Sequence, residues 1–228
     1  MMLKIPAIVV NFKTYLEATG KNAVRMAKIM EKVAKKTKVS IAVCPQHADI
    51  WRVAREVKIP VFAQHVDPVK PGRNTGWVVP ETVKAAGAVG TLINHSEHKL
   101  PLDQVQTAII RAREAGLITI CCTADIEESR KAAEFAPDFI AIEPPELIGT
   151  GIPVSKAKPE IVVGAVEAIK RVNPNVEVLC GAGITTGEDV AKAIELGTKG
   201  VLVASGIVCA EDPKRVVEDM AKAILSKF

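Results

Sequence analysis

Apolar runs and stretches of helical period alternate along this chain from its first residues to its last. Eight runs rich in β-branched residues read as strands: Ala7–Asn11, Ser40–Cys44, Val61–Gln64, Thr91–Asn94, Ile118–Cys122, Phe139–Ile142, Val176–Cys180 and Val201–Val203. Apolar positions at helical spacing follow them, as in the segments from Asn22 to Lys36, Ala48 to Val57, Leu102 to Ala115, Pro159 to Val172, Glu188 to Leu196 and Pro213 to Lys227. The strand-like runs are continuously apolar instead of alternating with a period of two, which is what strands covered on both faces require. A parallel sheet with helices packed outside meets that requirement, and eight near-equal units predict that it closes into a (β/α)8 barrel. An open doubly wound sheet also alternates β and α, but no GxGxxG follows the first run. No Ser/Gly linker, charge block or low-complexity segment divides residues 1–228, so a single α/β domain is expected.

Composition narrows the possible functions. At 228 residues and 48% hydrophobic, the chain can bury one sizeable core. It holds no stretch of about 18 apolar residues, and its first residues lack the charged, apolar and cleavage regions of a signal peptide, so a soluble, cytoplasmic protein is expected. The net charge of +4 comes from lysines such as Lys28, Lys32, Lys35 and Lys36 spread over helix faces among acids, which reads as a solvated surface and not a nucleic-acid footprint. Aromatic residues, at 4%, are too sparse to form stacking platforms for bases. Cys44, Cys121, Cys122, Cys180 and Cys209 show no CxxC or Cys/His ligand spacing and read as small buried hydrophobes. Scarce Asn and Gln beside plentiful Lys and Glu point to a heat-adapted source.

A barrel of this kind carries its active site at the C-terminal ends of its strands, so polar residues that interrupt the runs there are the candidates. Glu143 follows Phe139–Ile142 and precedes Pro144-Pro145, which places a carboxylate at the barrel mouth, partly out of water, where it can act as a base. A lone strand-end glutamate also fits a salt-bridged structural role. The segment IEPPELIGTG, from Ile142 to Gly151, and the Ile152-Pro153-Val154 that follows favour the base: they are too apolar for a solvated connection and read as a stiff-ended lid offering backbone N–H groups at Gly149 and Gly151.

Cys180-Gly181-Ala182-Gly183-Ile184 after the seventh run and Ala204-Ser205-Gly206 after the eighth leave the backbone open to an anion. The second turn can lead into a short helix whose N-terminus faces the site. Glycines needed only for helix–strand packing are the other reading of these turns. His95 ends an apolar run, and Ser96-Glu97 after it reads as a helix start, which would keep the imidazole neutral and able to donate a hydrogen bond to a carbonyl. Lys13, two residues beyond the first run, offers a fixed cation. His47, His65 and His98 receive no role.

With Asn11-Phe12-Lys13, His95-Ser96-Glu97 and IEPPELIGTG at successive strand ends, the chain resembles the triosephosphate isomerase family over its whole length, in the compact archaeal form of its TIM barrel. The resemblance implies interconversion of dihydroxyacetone phosphate and glyceraldehyde 3-phosphate in glycolysis and gluconeogenesis. It implies Glu143 as base, His95 as neutral electrophile, and Asn11 and Lys13 as substrate contacts, the glutamate–histidine pairing for which this family is the standard example. It further implies substrate-binding groups around Val9, Val10, Asn11, Lys13, Ile148, Gly149, Gly151, Gly183, Ala204 and Ser205, with Glu97 supporting Lys13 and no metal or organic cofactor.

Several positions depart from the commoner pattern of the family. The lid opens Pro144-Pro145-Glu146 where a tryptophan is usual, its far hinge is Ile152-Pro153-Val154 in place of a lysine-led triplet, and Ala182 stands where a serine is expected. The loop from Pro71 to Trp77 resembles the one that enters a neighbouring subunit, so a homodimer at least, and a homotetramer in the compact branch, is implied. Two other readings fit the phosphate turns: a different phosphate-binding barrel, such as an indole or phosphoribosyl enzyme of amino-acid biosynthesis, and a catalytically silent barrel that binds a phosphometabolite.

Overall fold

The computed structural model describes residues 3–148 and 151–227. Eight strands form one all-parallel sheet: β1 (Ala7–Asn11), β2 (Ser40–Cys44), β3 (Phe62–Ala63), β4 (Gly90–Ile93), β5 (Ile118–Thr123), β6 (Phe139–Ile142), β7 (Glu177–Cys180) and β8 (Gly200–Val203). Their order is β2-β1-β8-β7-β6-β5-β4-β3, and a single parallel bridge between Val43 and Val61 joins the two ends into a barrel. The expected closure is observed, and the open sheet is excluded.

The continuous apolar runs resolve into two faces. Ala7 and Val9 of β1 join Ala42, Phe62, Leu92, Ile120, Ala141, Leu179 and Leu202 in the core inside the barrel. Ile8 and Val10 point outward into a larger core shared with the helices. Successive strand side chains alternate faces, so a strand between two apolar layers needs apolar residues at every position.

Among the described residues ten α-helices accompany the strands, the longer ones covering the outside: α1 (Lys21–Thr37), α2 (Ile50–Glu56), α3 (Pro80–Ala85), α4 (Leu102–Glu114), α5 (Ile126–Glu134), α6 (Val154–Ala157), α7 (Pro159–Val172), α8 (Gly187–Glu195), α9 (Ser205–Val208) and α10 (Pro213–Leu225). In α1 the buried positions Ala23, Met26, Ala27, Met30 and Val33 recur every three or four residues, which lays one stripe on the sheet and leaves the lysines in water. Polar side chains set several helix starts: Asp125 accepts the Glu128 N–H, Asp212 accepts the Arg215 N–H, and Thr186 and Asp189 form a reciprocal capping box.

The helices placed from sequence are observed within about two residues at each end, α7 with both ends unchanged, except that the second begins with a 3-10 turn at His47–Asp49. Apolar periodicity did not single out α3 and α5. The first has only six residues, and the second buries only Ser129, Ala132 and Ala133, side chains too small to mark a stripe. β3 keeps only two of its four expected residues, and Gln64 at its end serves as a polar clamp. Of the cysteines, Cys44, Cys121, Cys122 and Cys180 are buried as expected, but Cys209 is exposed because it caps α9 on the outer rim instead of lying in a strand.

Candidate active site

The strand ends converge on one small cavity at the C-terminal mouth of the barrel. Asn11, Lys13, His95, Glu143, Ile148, Gly151, Gly183, Ala204 and Ser205 all line it, from five different βα connections. Gly149, expected beside them, lies outside the described residues. Val9 and Val10 do not reach the cavity: Val9 is buried in the inner barrel core and Val10 in the outer layer, as the strand alternation requires.

At the end of β1 the chain turns sharply. Asn11 is buried, and its Oδ1 accepts the Lys13 N–H at 3.0 Å. Lys13 adopts a left-handed backbone (φ 45°), and Gln64 fixes it there by donating from Nε2 to the carbonyls of Lys13 and Cys44, each at 2.9 Å. The largely buried ammonium of Lys13 meets Glu97 Oε1 at 2.7 Å. In the sequence Gln64 is only the last residue of a strand-like run, and no local pattern sets it apart.

Asn94, at the end of β4, also takes a left-handed conformation (φ 63°). It donates from Nδ2 to the Cys122 carbonyl and to Glu128, both at 2.9 Å, and accepts the Leu100 N–H at 3.0 Å. These bonds satisfy the amide of a buried residue and turn the chain so that His95 enters the cavity. The helix expected at Ser96-Glu97 is absent; those residues form a turn, and α4 begins only at Leu102 after Pro101. The imidazole is therefore not held by a helix N-terminus. Its Nδ1 accepts the Glu97 backbone N–H at 3.2 Å, which leaves the proton of the neutral ring on Nε2.

That Nε2 lies 3.7 Å from Glu143 Oε2. Glu143 is 6% exposed, its N–H is tied to the Thr123 carbonyl at 2.8 Å, and among the described residues its Oε2 accepts no hydrogen bond. The side chain rests against Gly181, where a Cβ would stand 2.3 Å from Glu143 Cγ, so only glycine leaves the carboxylate its place. Below it are thiols held protonated. Burial, followed by the charge of Glu143, pushes Cys122 well up, Cys44 up, and Cys180 up to about 12. Cys44 and Cys122, in the inner core, form an apolar floor, Cys180 lies in the outer layer, and none is ionised to act as a nucleophile.

The segment expected to form a lid begins as a 3-10 turn, Pro145–Leu147, and Ile152-Pro153 leads into α6, where the Val154 N–H reaches the Ala182 carbonyl at 3.3 Å. Ala182 (φ 61°) and Gly183 (φ 72°) are consecutive left-handed residues, and a Cβ at Gly183 would come within 1.9 Å of the Ile152 carbonyl oxygen. After β8, α9 starts at Ser205, and its first turn leaves backbone N–H groups of Ser205 and Gly206 without intrahelical partners at the cavity. The short helix expected in this turn is thus present. Thr185, not singled out from sequence, also lines this end.

A second cleft adjoins the first and is lined by Lys13, His47, Gln64, His65, Glu97 and His98 together with Thr75, Gly76 and Trp77. His65 and His98 stack with ring centroids 4.0 Å apart, and His65 Nε2 lies 3.1 Å from Asp67. Trp77 is half exposed. Among the described residues, no three His, Cys, Asp or Glu side chains are grouped to hold a metal ion, and no helix is long and apolar enough to cross a membrane.

Residues 6–223 match the family model described as triosephosphate isomerase. The triosephosphate isomerase of Methanobacterium bryantii is 57% identical over 219 residues, covering 96% of this chain and 97% of that protein. Those of Methanothermus fervidus and Methanocaldococcus jannaschii are 54% and 48% identical, covering 94% and 95% of this chain and 97% and 99% of theirs. Among solved structures, the triosephosphate isomerase of Bartonella henselae superposes with a TM-score of 0.76 at 17% identity, over 94% of this chain and 98% of that one, a likeness of fold.

Proposed function

Since the chain belongs to the triosephosphate isomerase family and is an isomerase, we propose that its cavity interconverts dihydroxyacetone phosphate and D-glyceraldehyde 3-phosphate by an enediolate route, with Glu143 as base and His95 as electrophile. The observation that carries this assignment is the pairing of an unpartnered buried carboxylate oxygen with an imidazole nitrogen 3.7 Å away, in a cavity whose other end is backbone N–H groups.

Glu143 takes the proton from C1 of dihydroxyacetone phosphate and returns it to C2, so no net proton is exchanged with the medium. Negative charge develops on the carbonyl oxygen as C1 is deprotonated. His95, donating from Nε2, and the Lys13 ammonium stabilise that oxygen, and His95 moves the hydroxyl proton between the two oxygens. Asn11 holds the Lys13 turn and contacts the substrate. Glu97 keeps Lys13 from swinging into solvent. The backbone at Gly183, Ala204 and Ser205 takes the phosphate, with Ile148, Gly149 and Gly151 of the lid covering it and keeping water from the enediolate.

We assign the enzyme to glycolysis and gluconeogenesis in the cytoplasm of a heat-adapted organism. It works as a homodimer at least, and as a tetramer in the compact branch, with the loop from Pro71 to Trp77 entering the histidine-lined cleft of a second copy. The deciding experiment is a coupled assay in which glyceraldehyde 3-phosphate formed from dihydroxyacetone phosphate is oxidised by an added dehydrogenase. Turnover without added metal or organic cofactor is expected; no isomerisation at any temperature overturns the assignment.

A further inference from the structure

One buried carboxylate touches two of the segments around the phosphate end of the cavity and has no part in the chemistry above. Asp189, in the first turn of α8, is 2% exposed. Its Oδ2 accepts from the Thr185 N–H at 3.0 Å, the Thr185 hydroxyl at 3.2 Å and the Thr186 N–H at 2.9 Å. A helix cap explains those bonds. It does not explain the other oxygen, which meets Lys156 Nζ at 3.0 Å.

Lys156 belongs to α6, the helical turn into which the lid's far hinge runs. The same segment lies against the seventh turn at two further points, the Val154 N–H on the Ala182 carbonyl and the Ile152 carbonyl in the space left by the missing Gly183 side chain. Asp189 is therefore the group through which the turn that carries Gly183 and Thr185 is bonded on one side and the segment after Gly151 is bonded on the other. Neither Asp189 nor Lys156 lines the cavity.

We infer that the Asp189–Lys156 pair is a positioning clamp that holds the seventh turn and the end of the lid in register, so that backbone donors from both face one substrate phosphate. The inference rests on the proposed triose phosphate function. A buried carboxylate that spends one oxygen on backbone donors and the other on an ammonium fixes both partners at the charge-assisted distance. Burial pushes its carboxyl up, but Lys156 and the N–H groups of Thr185 and Thr186 outweigh this and hold it below the usual range, so the clamp stays charged at neutral pH. Loss of the pair therefore weakens phosphate binding and leaves proton transfer at bound substrate intact.

The test is Lys156→Met beside Lys156→Arg in the full chain, with kcat, KM, the inhibition constant of glycerol 3-phosphate as a non-reacting phosphate ester, and Tm measured for each. Lys156→Met is expected to raise KM and the inhibition constant together by about tenfold, with kcat near wild type and Tm little changed, since the lysine is 41% exposed. Lys156→Arg is expected to restore most of the affinity. Unchanged KM and inhibition constant in Lys156→Met, a loss of Tm without a loss of affinity, a failure to fold, or no rescue by arginine each overturns the clamp. A wild-type protein that does not isomerise dihydroxyacetone phosphate overturns instead the function on which it rests.

Discussion

Gly181→Ala tests the proposed base without touching it. Its backbone lies outside the left-handed region, so alanine brings no conformational strain there. The new methyl would stand 2.3 Å from Glu143 Cγ and 2.7 Å from Oε1, against the 3.4 Å or more of ordinary contact, so the carboxylate must retreat by about 1 Å. It cannot sink into the barrel, because Cys44 and Cys122 fill the inner core next to it. It therefore moves across the cavity and changes its 3.7 Å relation to His95. A displacement of about 1 Å at a reacting group costs roughly 100-fold in rate. Overpacking of the site costs about 1–3 kcal/mol, which for a chain of this size lowers Tm by about 2–12 °C. The coupled assay should show kcat down about 100-fold, while the inhibition constant of glycerol 3-phosphate stays near wild type because the turn proposed to bind phosphate is held by Asp189 and Lys156. A folded Gly181→Ala enzyme with wild-type kcat would refute the reasoning, since either Glu143 is not the base or its position does not matter.

Three further outcomes are expected. Glu143→Gln keeps the shape of the side chain but removes its basicity, so kcat should fall by about 10²- to 10⁴-fold with phosphate-ester affinity retained; loss of binding with normal turnover of bound substrate would make Glu143 structural. Shortening the loop at Arg73–Trp77 should yield monomers of low activity by light scattering and assay, and an active monomer would count against the contact between copies. Acidification should lower Tm through His65: burial is the largest of the effects that hold its imidazole below the ordinary value, so below about pH 6.5 the unfolded chain binds a proton that the folded chain does not. Asp67 opposes this shift while His98 and His47 add to it. His65→Gln should flatten the dependence of Tm on pH between about 7 and 5, and an unaltered slope would remove His65 as its source.

The alternation of apolar runs and helical stretches was enough to give the barrel, because a parallel strand packed on both faces has a local signature in every residue it contains. The catalytic candidates were legible for a related reason. Polar residues at the ends of such runs, as at Asn11, His95 and Glu143, interrupt a pattern that otherwise tolerates only apolar side chains. Two local inferences failed for want of tertiary context. Ser96-Glu97 has the composition of a helix start, but the chain there is committed to the turn that Asn94 makes with Cys122, Glu128 and Leu100. Val9 and Val10 are neighbours of Asn11 in sequence, yet the pleat sends one inside the barrel and the other under the helices.

What the sequence determined by itself is the set of elements, their order and the residue types at the strand ends, all of which depend on neighbours a few positions away. What only the tertiary structure decided is how those ends are held: Gln64 on the Lys13 turn, Gly181 making room for Glu143, and Asp189 reaching Lys156. Each joins residues from different βα units, and such contacts leave no periodicity in the chain because closure of the barrel, and not local spacing, brings them together.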